Sequence, residues 1–234
     1  MAKELEPKPP SELAESKLLI SYAFDLARQL GIDHLLVLAD LLQDRRAVER
    51  HRENEAILWV VRSGGTSRTI EKQSGDHCIE IPETEVGRMD QVKLALILAV
   101  LREAIKVESS VVCLTGVAGS KRLDSLIIAN PQRDFPWFAN RKVKVTDSLL
   151  TSREFARLLD ISLRFATEGR EGKPIGTTFV LGKPESLSKY VRPLIMNPCK
   201  GHSRKAREIH NPDFLETLRE LASLDGAFIV DQRG

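Results

Sequence analysis

Four short stretches of almost unbroken apolar residues constrain this chain more than anything else in it: HLLVLAD (34–40), AILWVV (56–61), HCIEI (77–81) and SVVCLTG (110–116). They lack the alternation expected of a strand with one wet face, so both faces must be covered. Segments with helical spacing lie between them. Residues 11–30 place Leu19, Tyr22, Leu26 and Leu30 on one face, with Gly31 as the stop. A segment rich in arginine (Arg45, Arg46, Arg50, Arg52) reads as a charged, solvated helix face. Residues 91–107 are apolar nearly all round (Leu94, Ala95, Leu96, Ile97, Leu98, Val100, Leu101), which predicts a buried helix. A fifth run, DSLIIAN (124–130), completes the set. Helices alternating with continuous apolar strands predict an α/β fold, a mainly parallel sheet with helices on both faces.

Residues 1–10, charged and proline-rich, read as a flexible tail, and residues 11–130 as the first domain. Residues 131–150 hold Pro131, Pro136, Trp137 and the alternating KVKV (142–145), a connection with one short strand. The second domain, 151–234, is a partial α/β domain. Thr151 and Glu154 have capping-box spacing. Phe155, Leu158, Leu159 and Ala166 mark the apolar stripe, and Gly169 ends that helix. A strand is expected over 175–181, then a helix from Pro184 to about Leu194. Asn211 and Pro212 form an N-cap and first turn, with Leu215, Leu218 and Leu221 or Ala222 facing inward. The last strand, 228–230, lies just before Gly234, so its hairpin partner is expected beyond that residue and the chain is expected to be a fragment.

Composition narrows the function classes. Apolar residues at 42% and charged residues at 29% are ordinary for a globular protein. Residues 1–130 carry 17 Lys+Arg against 20 Asp+Glu, and residues 131–234 carry 18 against 13. A basic second half suits a polyphosphate ligand; an excess of five charges is also routine. Aromatics at 5% argue against a nucleic-acid surface. Cys78, Cys113 and Cys199 form no CxxC pair, so neither a zinc site nor a disulfide framework is indicated. No secretory signal and no 18-residue apolar window are present, which makes the cytoplasm the default location, with no membrane contact.

The last third carries the chemistry: KPIGTTFVLG (173–182), NPCKGH (197–202), a helix, and LDGAFIV (224–230). Asp225, Gly226 and Ala227 open the final strand with a carboxylate beside two residues without bulk, so a nucleotide could approach the backbone closely. Taken alone, Asp-Gly is as readily a plain turn. In order and spacing, though, residues 151–234 resemble the diadenylate cyclase domain, the nucleotide-binding domain of the DNA integrity scanning protein. The match covers roughly the first half of that domain. The N-terminal part resembles the partner domain of archaeal-type cyclases, which is similar to the C-terminal α/β domain of pyruvate kinase.

The resemblance implies chemistry on two ATP molecules held by two cyclase domains face to face in a homo-oligomer. Each 3′-hydroxyl attacks the α-phosphate of the other ATP, giving cyclic di-AMP and two pyrophosphates. It implies Asp225 as the catalytic and metal-holding residue, with Mn²⁺ or Mg²⁺, and Gly226 and Ala227 as nucleotide-binding. An Arg-His-Arg phosphate motif follows DGA by some thirty residues in the family and is absent from this sequence, so activity is expected to be incomplete here. HSRKA (202–206) precedes DGA and reads as part of the linker. The alternative is a non-catalytic nucleotide- or anion-binding module with a regulatory or oligomerising role.

Two further loops invite a phosphate reading. GVAGSKR (116–122) follows a strand with glycines and two cations, yet lacks the GxxxxGK[ST] pattern, and a tight strand-to-helix turn explains it equally. SGGTS (63–67) also follows a strand, and the similar stretch of pyruvate-kinase-like domains binds an anion in some members. The five histidines (His34, His51, His77, His202, His210) show no HxxxH or HExxH spacing.

Overall fold

The computed structural model describes residues 12–62, 76–136, 147–150, 152–187, 189–193, 195–224, 226–231 and 234. It divides into two compact units, residues 1–81 with 85–144, and residues 82–84 with 145–234. KVKV (142–145), SGGTS (63–67), the tail 1–10 and Asp225 lie outside the described residues.

The first unit is built on strands β1 (His34–Leu38), β2 (Ala56–Arg62), β3 (His77–Ile81), β4 (Val111–Thr115) and β5 (Ser125–Ala129), in spatial order β3-β2-β1-β4-β5. The first four are parallel, with His34 opposite Ala56 on one side and Val111 on the other, and β5 pairs with β4 antiparallel. Leu35–Leu38, Ile57–Val61 and the whole of β4 are buried, so both faces of the central sheet are covered, as continuous apolar runs require.

Helix α1 (Glu12–Leu30) packs on β1, β4 and β5 through Ile20, Ala23, Phe24 and Ala27. The stripe expected from Leu19, Tyr22, Leu26 and Leu30 is rotated off the sheet, with Tyr22 and Leu30 exposed. Small Ala23 and Ala27 lie at i+3 and i+7 from Ile20 and let the helix approach closely; large apolar residues alone are a poor guide to that face. Gly31, at φ +63°, closes the helix, and the Ile32 N–H reaches back to the Ala27 carbonyl.

The arginine-rich segment after β1 makes a single turn, α2 (Arg46–Glu49), not a long solvated helix. Arg52 turns inward instead and meets Asp76 with both terminal nitrogens, at 2.8 and 2.7 Å. The buried helix α3 spans Arg88–Leu101, shorter than the 91–107 expected. Its stop is Glu103, at φ 56°, with the Ala104 N–H bonded to the Ala99 carbonyl. No glycine announces that stop in the sequence. The short α4 (Pro131–Asp134) is capped by Asn130.

The second unit contains α5 (Asp147–Leu150), α6 (Arg153–Thr167), β6 (Thr178–Leu181), α7 (Pro184–Leu187), α8 (Pro212–Leu221) and β7 (Ala227–Val230). The cap of α6 is Ser152, whose Oγ accepts from the Phe155 N–H at 3.1 Å; Thr151, expected to form a capping box with Glu154, lies outside the described residues. The buried stripe of α6 is Leu158, Ile161 and Phe165, while Ala166 is exposed. It forms one core with Ile209, Leu215, Leu218, Ala222 and Val230. Asn211 caps α8 through the Asp213 N–H with Pro212 in the first turn, as its sequence predicts. The strand expected over 175–181 begins only at Thr178, because the Ile175 N–H is engaged by the Phe165 carbonyl. The helix from Pro184 stops at Leu187.

Candidate functional site

Strands β6 and β7 run parallel, with Thr178 opposite Ala227 and Leu181 opposite Val230. Parallel strands present the same end, so the GTT entry of one lies beside the GA entry of the other. A ring stack holds the pair against the core: Phe179 lies 5.5 Å from Phe228 and 6.2 Å from Phe165, centroid to centroid. The result is a mouth with little side-chain bulk. Gly226, Ala227, Gly176 and Thr178 are exposed there, and a Cβ placed on Gly176 would meet nothing within 4 Å. The Thr177 Oγ1 is buried and has no hydrogen-bond partner among the described residues. A hydroxyl left so is the kind of group a polar ligand or water satisfies. Of the three residues singled out from the sequence, Gly226 and Ala227 therefore stand at this mouth, and Asp225 is outside the described residues. Thr177 and Thr178, beside this mouth, were not singled out from the sequence, although GTT immediately before an apolar run was an available signal.

The other end of α8 holds a cleft of about 510 Å³ lined by Ser203, Lys205, Glu208, His210, Asn211 and Asp213. It adjoins the first turn of that helix, a helix length away from the turn (222–224) that leads to the mouth. Burial pushes the His210 imidazole below its ordinary range, reinforced by Arg153 and Arg157. Its Nε2 is buried and has no partner among the described residues. No group of three or more His, Cys, Asp or Glu capable of holding a metal occurs among the described residues.

In the first unit, GVAGSKR joins β4 to the antiparallel β5, so no helix follows it and the strand-to-helix turn is replaced by a strand connection. The loop closes on itself: Ser120 Oγ donates to the Arg122 carbonyl, and a Cβ on Gly116 would lie 2.3 Å from that same oxygen. The backbone geometry, not a ligand, accounts for that glycine.

A polar cluster that sequence reasoning overlooked lies at the carboxyl ends of the parallel strands. The Arg62 backbone N–H donates to Asp40 Oδ2 at 2.8 Å, and its guanidinium donates to Gln91 Oε1 at 3.2 Å. Gln91, 1% exposed, donates through Nε2 to the Val86 carbonyl at 3.0 Å and to the Gly116 carbonyl at 3.4 Å. An isolated glutamine in an apolar helix gave no hint of this, because its partners come from three separate strands and loops. Beside α3, Arg88 makes a two-pronged ion pair with Asp124 at 2.7 Å, which holds the Asp124 carboxyl below its usual range.

Residues 15–130, within the first unit, match the family model described as a probable sensor domain, DacZ_P. Along most of its length the chain is similar to two proteins named diadenylate cyclase. It is 26% identical to a protein named diadenylate cyclase from Methanocaldococcus jannaschii, over 94% of this chain and 76% of that protein. A protein of the same name from Haloferax volcanii is 23% identical over 67% of this chain and 56% of its own length. In fold, 53% of the chain is similar to two solved pyruvate kinase structures from Cryptosporidium parvum. Each match takes in 23% of the kinase chain, with identities of 14% and 12% and TM-scores of 0.42 and 0.39.

Proposed function

We propose that the second unit belongs to a diadenylate cyclase-type nucleotidyltransferase, which condenses two ATP into cyclic di-AMP with release of two pyrophosphates. The observation that carries this reading is the 26% identity to a diadenylate cyclase along 94% of the chain. The mouth of β6 and β7 supports it. Small exposed residues let a nucleotide lie against the backbone, and the Thr177 hydroxyl offers a hydrogen bond. In this reading Gly226 and Ala227 seat the nucleotide, and Asp225 faces the attacking 3′-hydroxyl and takes up its proton as the new bond to the α-phosphorus forms. Pyrophosphate leaves from the opposite side of that phosphorus.

One carboxylate does not fill a Mg²⁺ or Mn²⁺ shell, and such ions complete it with water and substrate phosphates. Asp225 would therefore hold the ion jointly with ATP. When bound, the ion supplies charge neutralisation of the phosphates. Each domain offers half of the reaction, so two cyclase units meet face to face, in the cytoplasm.

The test combines ATP binding by calorimetry with chromatography for cyclic di-AMP, in the presence of Mn²⁺, for the chain and for Asp225→Asn. Binding by both, with whatever product the unaltered chain forms lost in the variant, is the expected outcome. Product formation unimpaired in Asp225→Asn, or no binding of ATP by the chain, overturns the reading. ATP binding without product from the unaltered chain would favour a non-catalytic, nucleotide-binding regulatory module. That second reading draws on the sensor description of residues 15–130.

A further inference from the structure

In the first unit the chain leaves β1 toward β2 and β3 on one side, then returns through α3 to β4 on the other. Ligands of open α/β sheets bind at such a reversal of strand order, outside the carboxyl ends of the strands. We propose that this reversal is an oxyanion site, in which Arg62 holds the phosphate or carboxylate group of a small molecule. The inference is independent of the cyclase reading.

Arg62 ends β2 and is partly buried. Its backbone N–H is fixed by Asp40, and its side chain is held by Gln91, a neutral partner. It makes no ion pair among the described residues, whereas Arg88 in the same unit is matched by Asp124. A guanidinium has five N–H donors in a planar fork suited to a two-oxygen anion. One donor is taken by Gln91, and no other acceptor meets the guanidinium among the described residues. Gln91 is anchored by two carbonyls, so its Oε1 is a fixed rest for Arg62 and makes Gln91 a positioning residue.

Three features at the same edge agree with an anion. Helix α3 begins at Arg88, and its N-cap, Gly87, offers no side chain to occupy the first-turn N–H groups. The Gln91–Gly116 bond brings that first turn against the end of β4. Thr115, the last residue of β4, is wholly buried, and its Oγ1 has no partner among the described residues. Asp40 is engaged by the Arg62 backbone, not by its guanidinium, and the acidic residue in the first turn of α3 is Asp90.

The test titrates the ¹⁵N-labelled full chain with inorganic phosphate and, separately, with acetate, against chloride at equal ionic strength. The signals to follow are the Gln91 side-chain amide and the Gly116 backbone amide. Saturable shifts at both are expected, with the Kd raised about tenfold or more in Arg62→Met, the loss of a charge-assisted contact. Arg62→Gln, which keeps an amide donor without the charge, should weaken binding similarly and serves if the methionine variant does not fold. Response to one anion alone identifies the group recognised. No saturable shift with either anion up to about 20 mM, a range that covers weak single-group contacts, overturns the proposal. So does a Kd unchanged by removing the Arg62 charge.

Discussion

Replacing Asp76 by Asn changes one carboxylate oxygen to an amide nitrogen with almost no change of shape. In the folded protein Asp76 accepts from Arg52 at 2.8 and 2.7 Å and from the Trp59 indole N–H at 3.2 Å. The Asp76 side chain is 7% exposed and that of Arg52 27%. The pair ties the segment after α2 to the entry of β3, and the carboxylate is what holds the Arg52 guanidinium more firmly protonated than usual. Breaking a buried ion pair from one side costs about 3–5 kcal/mol, because a charge is left stranded. Here Arg52 keeps some water and retains Glu49 at 3.6 Å, so about 2–3 kcal/mol is expected, in line with two charge-assisted bonds. Urea unfolding followed by Trp59 fluorescence, in a Trp137→Phe background, measures it. At a slope of about 2 kcal/mol per molar, the midpoint should fall by about 1–1.5 M. In an Arg52→Met background the same change should cost under about 0.5 kcal/mol. Equal losses in both backgrounds would refute the ion pair as the cause.

Thiol chemistry and pH give two further checks. Cys78 and Cys113 are buried strand residues, and burial pushes the Cys113 thiol far up, whereas Cys199 is partly exposed. Cys199, whose thiol is also pushed up by burial, should still react faster than the two core thiols with an aromatic disulfide reagent in the native protein, and all three should react rapidly in denaturant; equal rates for all three in the native state contradict the core placement. His210 is held neutral in the folded state chiefly by burial, then by Arg153 and Arg157, with Glu154 and Glu208 opposing. Its folded-state pKa lies below the unfolded one, near 6.5. That contribution to stability is complete above about pH 6.5 and is lost as the pH falls through the lowered folded-state value. Thermal melts should show a shallower loss from pH 7 to 5 in His210→Gln than in the unaltered chain, and identical slopes would count against this environment.

The sequence by itself determined the α/β architecture of the first unit. Runs such as Leu35–Leu38 and Val111–Leu114 are apolar at every position, and only a strand covered on both faces can bury them. It also determined the cap at Asn211, since a side-chain acceptor followed by proline acts within one turn. The strand entry at Gly226 and Ala227 was likewise legible, from small residues ahead of an apolar run.

Tertiary structure alone decided the rest. Which face of α1 meets the sheet depended on Ala23 and Ala27 permitting close approach, a matter of complementarity and not of hydrophobicity. Arg52 looked like one more solvated cation until Asp76, 24 residues away, came within hydrogen-bond reach. Arg62, Gln91 and Gly116 are spaced by tens of residues and meet only because parallel strands bring their carboxyl ends to one edge. Local pattern records what a segment must bury or cap. Long-range partnership depends on register and crossover, which no local pattern encodes.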